Sequence, residues 1–70
     1  MGYELWDRDS GNLIGDWDER TPAVALLRAE VGKGGLSALE RFALIRVADG
    51  QSDVVAQGRE LIALVEALAR

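Results

Sequence analysis

The residues whose types and spacing come nearest to a chemical site lie in the segment Asp7-Arg8-Asp9-Ser10-Gly11-Asn12. Carboxylates at alternate positions are typical of the start of a calcium-binding loop. Such a loop needs an oxygen ligand where this chain has Gly11, a glycine where it has Asn12, and a glutamate where it has Asp18. Because all three positions fail, we expect these residues to form a turn and not a metal site.

The glycines around Lys33 are a second candidate, because a glycine-rich loop can bind phosphate through its backbone N–H groups. In Gly32-Lys33-Gly34-Gly35 the glycines follow a helical pattern, and no serine or threonine follows the lysine. The chain has no cysteine and no histidine, so its serines at 10, 37 and 52 lack a histidine partner. We therefore expect no catalytic residue, no cofactor and no metal ion, and we expect that the protein is not an enzyme.

Trp6 and Trp17 are the residues best suited to contact another molecule, since aromatic side chains anchor many interfaces. Strand alternation places Trp6 on one face of a hairpin with Ile14, and Trp17 on the other face with Leu5 and Leu13. In one interpretation, one tryptophan joins the core and the other covers the hairpin locally. In the other, an apolar patch lies on the sheet face away from the helices, and its candidate residues are Trp6, Ile14, Ile45 and Val47.

Two β-hairpins are predicted to position these residues, because alternating apolar and polar residues flank clusters of turn-forming residues. The first hairpin joins residues 3–7 to residues 12–18. The second joins residues 41–47 to residues 53–57 through a turn that contains Asp49-Gly50, a dipeptide typical of tight hairpins.

Helices are predicted at 22–31, at a short turn over 36–40, and at 59–70. The first begins with Thr21 as its N-cap and Pro22 as its first helical residue, and it ends at Gly32. Apolar residues three and four apart predict the buried stripes of the longer helices. These residues are Ala23, Val24, Leu26, Leu27 and Val31 in the first, and Leu61, Leu64, Val65 and Leu68 in the last.

The predicted fold is a single small α+β domain over residues 1–70, with the element order β-β-α-β-β-α. A four-stranded, mainly antiparallel sheet with both helices packed on one face would bury both helical stripes. Phe42 and Leu44 would then face the helices, and Ala43, Ile45 and Val47 would face away. The order of the strands within the sheet stays open.

Three stretches of this chain resemble a group of short, uncharacterised bacterial β-β-α-β-β(-α) proteins. They are Tyr-Glu-Leu-Trp-Asp at 3–7, Gly-Asn-Leu-Ile-Gly-Asp-Trp-Asp at 11–18, and Phe-Ala-Leu-Ile-Arg at 42–46. That group begins with the same aromatic, leucine, tryptophan and aspartate hairpin, and the resemblance covers most of the chain. It implies the same fold and assigns no functional residue.

Composition and charge limit the partners of the domain. Hydrophobic residues make up 49% of the chain, which suffices for a packed core. The net charge is −4 and the charged residues are scattered, which disfavours binding to nucleic acid. The first residues include no basic segment and no long apolar run. We expect a cytoplasmic protein that contacts neither nucleic acid nor membrane.

The small size of the domain suggests its function. A chain of 70 residues has a thin core, and without disulfides or metals oligomerisation is the remaining reinforcement. We expect a small non-catalytic protein-interaction module that forms a homodimer through an apolar sheet face or a strand edge. The alternative is a small regulatory subunit that binds a ligand or a different protein, as an antitoxin-like or sensor domain does.

Overall fold

The computed structural model of the chain describes residues 2–68. The elements are β1 (Gly2–Asp7), β2 (Asn12–Trp17), α1 (Arg20–Gly34), a 3-10 helix (Leu36–Arg41), β3 (Phe42–Ala48), β4 (Gln51–Gln57) and α2 (Arg59–Leu68). The four strands form one antiparallel sheet in the order β2-β1-β3-β4. The predicted fold class and element order are therefore confirmed.

The register of the sheet determines which residues share a face. Leu5 in the central strand β1 lies opposite Leu44 of β3, and Phe42 lies on the same side of β3. All three are buried in one core cluster with residues of both helices. We call this side the covered face, and we call the opposite side, which includes Trp6 and Ile45, the open face.

The core between the sheet and the helices is entirely apolar. Its cluster consists of Leu5, Ala23, Leu27, Leu39, Phe42, Leu44, Ala56, Leu61 and Val65. This burial confirms the inward stripes predicted for both helices. The short helical turn predicted over 36–40 is the 3-10 helix, which contributes Leu39 to the core. The predicted extension of α2 over 69–70 lies outside the described residues, and so does the side chain of Leu68, whose inward position stays a prediction.

The first helix begins earlier than predicted. α1 starts at Arg20, with Glu19 in extended conformation before it, and no side chain caps the first turn. The prediction that Thr21 is the N-cap is therefore wrong. Pro22 is compatible with the earlier start because it still lies in the first turn, where an N–H group has no partner within the helix.

The first helix also ends later than predicted. It passes through Gly32, and the residue that ends it is Gly35, which has a positive φ of 80°. The N–H of Gly35 donates a hydrogen bond of 2.7 Å to the carbonyl oxygen of Val31 and closes the last turn. Glycine is the residue that most readily adopts positive φ at a helix end, so any glycine of this segment could end the helix. In the structure the helix ends at the last of them, Gly35.

The second hairpin has a tighter turn than predicted, and its second strand is correspondingly longer. Its turn consists of Asp49 and Gly50 alone, both with positive φ, at 54° and 76°. These are the dihedral angles of the two-residue type I′ turn, whose twist matches that of the flanking strands. As a result β4 begins at Gln51, two residues before its predicted start.

Candidate interaction surface

The acidic residues that resemble the start of a calcium loop form the turn of the first hairpin. The Asp7 carboxylate oxygen Oδ1 accepts hydrogen bonds from the N–H groups of Asp9 and Ser10, at 2.9 and 3.4 Å. The N–H of Gly11 donates to the carbonyl oxygen of Asp7 at 2.8 Å, and Gly11 has a positive φ of 74°. Among residues 2–68, no group of three acidic side chains is arranged to hold a metal ion. These residues thus close the hairpin that carries Trp6 and Trp17.

The first hairpin contains a β-bulge that alters its faces. Leu5 lies opposite Gly15, but the next residue, Trp6, lies opposite Leu13, so Ile14 is an extra residue in β2. Because the bulge shifts the alternation by one residue, Leu13 joins the open face with Trp6. The prediction that Leu13 shares a face with Leu5 is therefore wrong. Ile14 is 42% exposed and has no partner in β1.

The two tryptophans lie on opposite faces of the sheet, as alternation predicts. Trp17 lies opposite Tyr3 and packs against the core on the covered face. Trp6 lies on the open face opposite Ala43, and it is half-buried. The indole Nε1 of Trp6 donates a hydrogen bond of 3.1 Å to the Glu4 carboxylate oxygen Oε1, two residues away on the same face. One tryptophan thus belongs to the core, and the other belongs to the open face.

Three of the four predicted patch residues, Trp6, Ile45 and Val47, lie together on the open face. The register adds two residues that strand alternation alone does not place in the patch. Leu13 is 44% exposed, and Val54, which lies opposite Ile45, is 54% exposed. We define the open-face patch by its apolar members: Leu13, Trp6, Ala43, Ile45, Val47 and Val54. It therefore includes a residue from each of the four strands.

Two carboxylates lie beside the patch. Glu4 lies between Asp16 of β2 and Ile45 of β3, so the two acids are direct neighbours on the open face. The other open-face residues of the described strands are Gly2, Ser52 and Gln57. None of these strand residues is basic, and Arg46 lies on the other side of the sheet, where it contacts Asp53 at 3.6 Å.

A shallow depression of about 290 Å³ lies at the corner of the sheet nearest to the patch. It is lined by Gly2, Tyr3, Glu4, Asp16, Trp17, Asp18 and Val47. Small-molecule sites are commonly clefts of about 300–1,000 Å³ that bury most of their ligand. This depression lies at the lower end of that range and is open to solvent, so it would leave much of a ligand exposed.

Comparison of the chain with protein-family models, with curated proteins and with solved structures found no match. The resemblance noted from the sequence therefore stays a prediction. Within the described part of the chain, no helix has both the length and the apolar character needed to span a membrane.

Proposed function

We propose that this protein is a non-catalytic interaction module that self-associates through its open face, with two copies packed sheet against sheet. The observation that supports this proposal is the position of both helices on the covered face, which leaves Leu13 and Val54 exposed and Trp6 half-buried on the open face. The solvent side of an antiparallel sheet is ordinarily polar. An accessible apolar surface with an aromatic residue is typical of an interaction site.

Association through the face is favoured over association through a strand edge. The outer strands are β2 and β4, and each contains an unpaired bulge residue, Ile14 in β2 and Val55 in β4. Each also contains an acidic residue, Asp16 or Asp53. Bulges and charges disrupt the regular row of hydrogen-bonding groups that an added strand would need.

The dimensions of the open face limit the size of the interface that it could form. Four strands of six or seven residues, at about 3.3 Å per residue and about 4.8 Å between strands, form a face of roughly 400 Å² in projection. Two copies would bury about 800 Å², which is below the roughly 1,200 Å² of a stable, specific interface. We therefore expect a weak, transient dimer and not an obligate one.

The test compares Trp6→Glu with a matched control, Leu36→Glu. Leu36 is 39% exposed in the 3-10 helix, away from the open face, so its substitution adds the same charge at another exposed apolar residue. Light scattering at increasing concentration should give wild type and Leu36→Glu a mass that approaches the dimer, while Trp6→Glu stays a folded monomer. A wild-type chain that is monomeric at high micromolar concentration, or a Trp6→Glu variant that dimerises normally, would contradict the proposal.

A second candidate function is the binding of a different protein by a small regulatory subunit. The observation that favours it is the charge of the open face, where Glu4 and Asp16 have no basic neighbour in the described strands. A partner with apolar and basic side chains would complement this surface. A wild-type monomer whose tryptophan fluorescence responds to a synthetic alternating Lys/Val peptide, but not to its Glu/Val counterpart, would favour this function.

A further inference from the structure

We propose that Asp49 is a site of spontaneous covalent modification, at which the turn of the second hairpin converts from aspartate to isoaspartate. Asp49 is exposed at the tip of this turn and is followed by Gly50. An aspartate side chain forms a cyclic imide when the amide nitrogen of the next residue can reach its carboxyl carbon. Glycine obstructs this approach least, because it has no Cβ atom.

The surroundings of the turn leave both reacting groups accessible. Within the described residues, the N–H of Gly50 donates no backbone hydrogen bond, and the Asp49 carboxylate takes part in no ion pair or side-chain hydrogen bond. A Cβ atom built on Gly50 would have no neighbouring atom within 4 Å, so the space beside this amide is open to water. The two groups can therefore approach each other without first losing an interaction of their own.

Two other exposed aspartates are less suited to the reaction. Asp9 lies in the turn of the first hairpin, but the N–H of Ser10 after it donates a hydrogen bond of 3.4 Å to the Asp7 carboxylate. Asp53 lies in β4, but it is followed by Val54, whose branched side chain crowds the amide nitrogen. We therefore expect modification at the second turn before it occurs at either of these positions.

The reaction needs no reagent besides water. The amide nitrogen of Gly50 attacks Cγ of the protonated Asp49 side chain, and an N–Cγ bond forms while the amide proton and the acid hydroxyl leave as water. Water then opens the five-membered imide at one of its two carbonyl carbons. Attack at Cγ restores aspartate, whereas attack at the former backbone carbonyl gives isoaspartate, in which the main chain runs through Cβ and Cγ.

Isoaspartate would lengthen the main chain of the turn. It adds one carbon atom to a two-residue type I′ turn, whose twist matches the flanking strands only in its native form. Ala48 and Gln51, the pair that closes the turn, would then be the first to lose hydrogen bonding. We expect the midpoint of thermal unfolding to fall by about 4–8 °C, which corresponds to the loss of one hydrogen bond in a domain of this size.

The test is prolonged incubation of the folded wild-type chain in neutral buffer, followed by peptide mapping. Trypsin releases residues 47–59 as one peptide, which contains both Asp49 and Asp53. Electron-transfer fragmentation then shows which of the two has become isoaspartate. We expect the modification at Asp49, and none at Asp53 or at Asp9 in its own peptide.

The matched control is Gly50→Asn. Asparagine tolerates positive φ better than most residues, so the turn is kept, but its side chain crowds the attacking amide nitrogen. Conversion of Asp49 should therefore be several-fold slower in this variant than in wild type. Reversed-phase chromatography separates the modified wild-type chain, whose thermal unfolding is then compared with that of the fresh chain.

Wild-type chain unfolded in guanidinium chloride is the reference for an unprotected Asp49. The proposal is overturned if the folded chain forms no isoaspartate at residue 49 in the time that converts half of the unfolded chain, because the native turn then prevents ring closure. It is also overturned if Asp9 or Asp53 converts as fast as Asp49, or if Gly50→Asn converts as fast as wild type. An unchanged unfolding midpoint of the modified chain would contradict the expected effect on the turn.

Discussion

Gly15 faces the core-side indole of Trp17, which occupies the space that a side chain at position 15 would need. A Cβ atom built on Gly15 would lie 2.7 Å from both Cη2 and Cζ2 of that indole. Gly15 is also the β2 residue opposite Leu5, immediately beside the bulge at Ile14. A residue without a side chain thus lets the tryptophan fold back over its own strand and cover the end of the core.

Gly15→Ala should force the indole of Trp17 to move. We expect the free energy of unfolding to fall by about 1–3 kcal/mol, the usual cost of overpacking, together with a change in tryptophan fluorescence. The control is Gly32→Ala, since Gly32 lies within α1 and has open space around it. That substitution should stabilise the helix by about 0.5–1 kcal/mol. Urea denaturation measures both, and equal stability of Gly15→Ala and wild type would contradict close packing of Trp17 on Gly15.

Strand alternation predicts the face of some patch residues correctly and that of others wrongly. Trp6, Ile45 and Val47 lie where alternation predicts, because the strand segments that contain them are regular. Leu13 lies on the face opposite to the one that alternation predicts, because one extra residue in β2 reverses the alternation beyond it. The period of two in a sequence does not reveal such an insertion, since the bulge forms through pairing with another strand.

At the scale of elements, α1 is held in place by its packing and not by a side-chain cap. Leu27 is fully buried in the core, whereas Thr21 is exposed and no side chain caps the helix. We expect Leu27→Ala to lower the free energy of unfolding by about 2–5 kcal/mol through the cavity it leaves. Thr21→Ala should change it by less than about 0.5 kcal/mol. Denaturant unfolding checks both, and a loss of about 1 kcal/mol in Thr21→Ala would show that its hydroxyl does cap the helix.

The ends of the elements were harder to predict than their existence. The spacing of Val24, Leu27 and Val31 predicts the apolar stripe of α1. This stripe can pack against the core whichever residue begins the helix. The choice between Gly32 and Gly35 as the end of the helix depends on differences of about 1 kcal/mol per residue. Local sequence patterns do not resolve free-energy differences of this size, because tertiary contacts make free-energy contributions that are at least as large.

At the scale of the whole molecule, the chain is a two-layered slab with Cα extents of 34 × 29 × 16 Å. Its element order and the pairing within each hairpin could be predicted, because adjacent segments and turn residues determine them. The strand order β2-β1-β3-β4 could not, since it depends on the contact between β1 and β3, which are far apart in the chain. Alternation within each strand is the same for any order of the hairpins.

The measurement that tests the central proposal most directly is an isotope-filtered NMR experiment on a mixture of labelled and unlabelled wild-type chains. This experiment detects proximity between different copies only. We predict intermolecular NOEs between the Trp6 indole and the methyl groups of Ile45 and Val54, and none to Leu27 in the core. The absence of intermolecular NOEs at a concentration where light scattering reports dimers, or NOEs that map to α1, α2 or the strand edges, would contradict association through the open face.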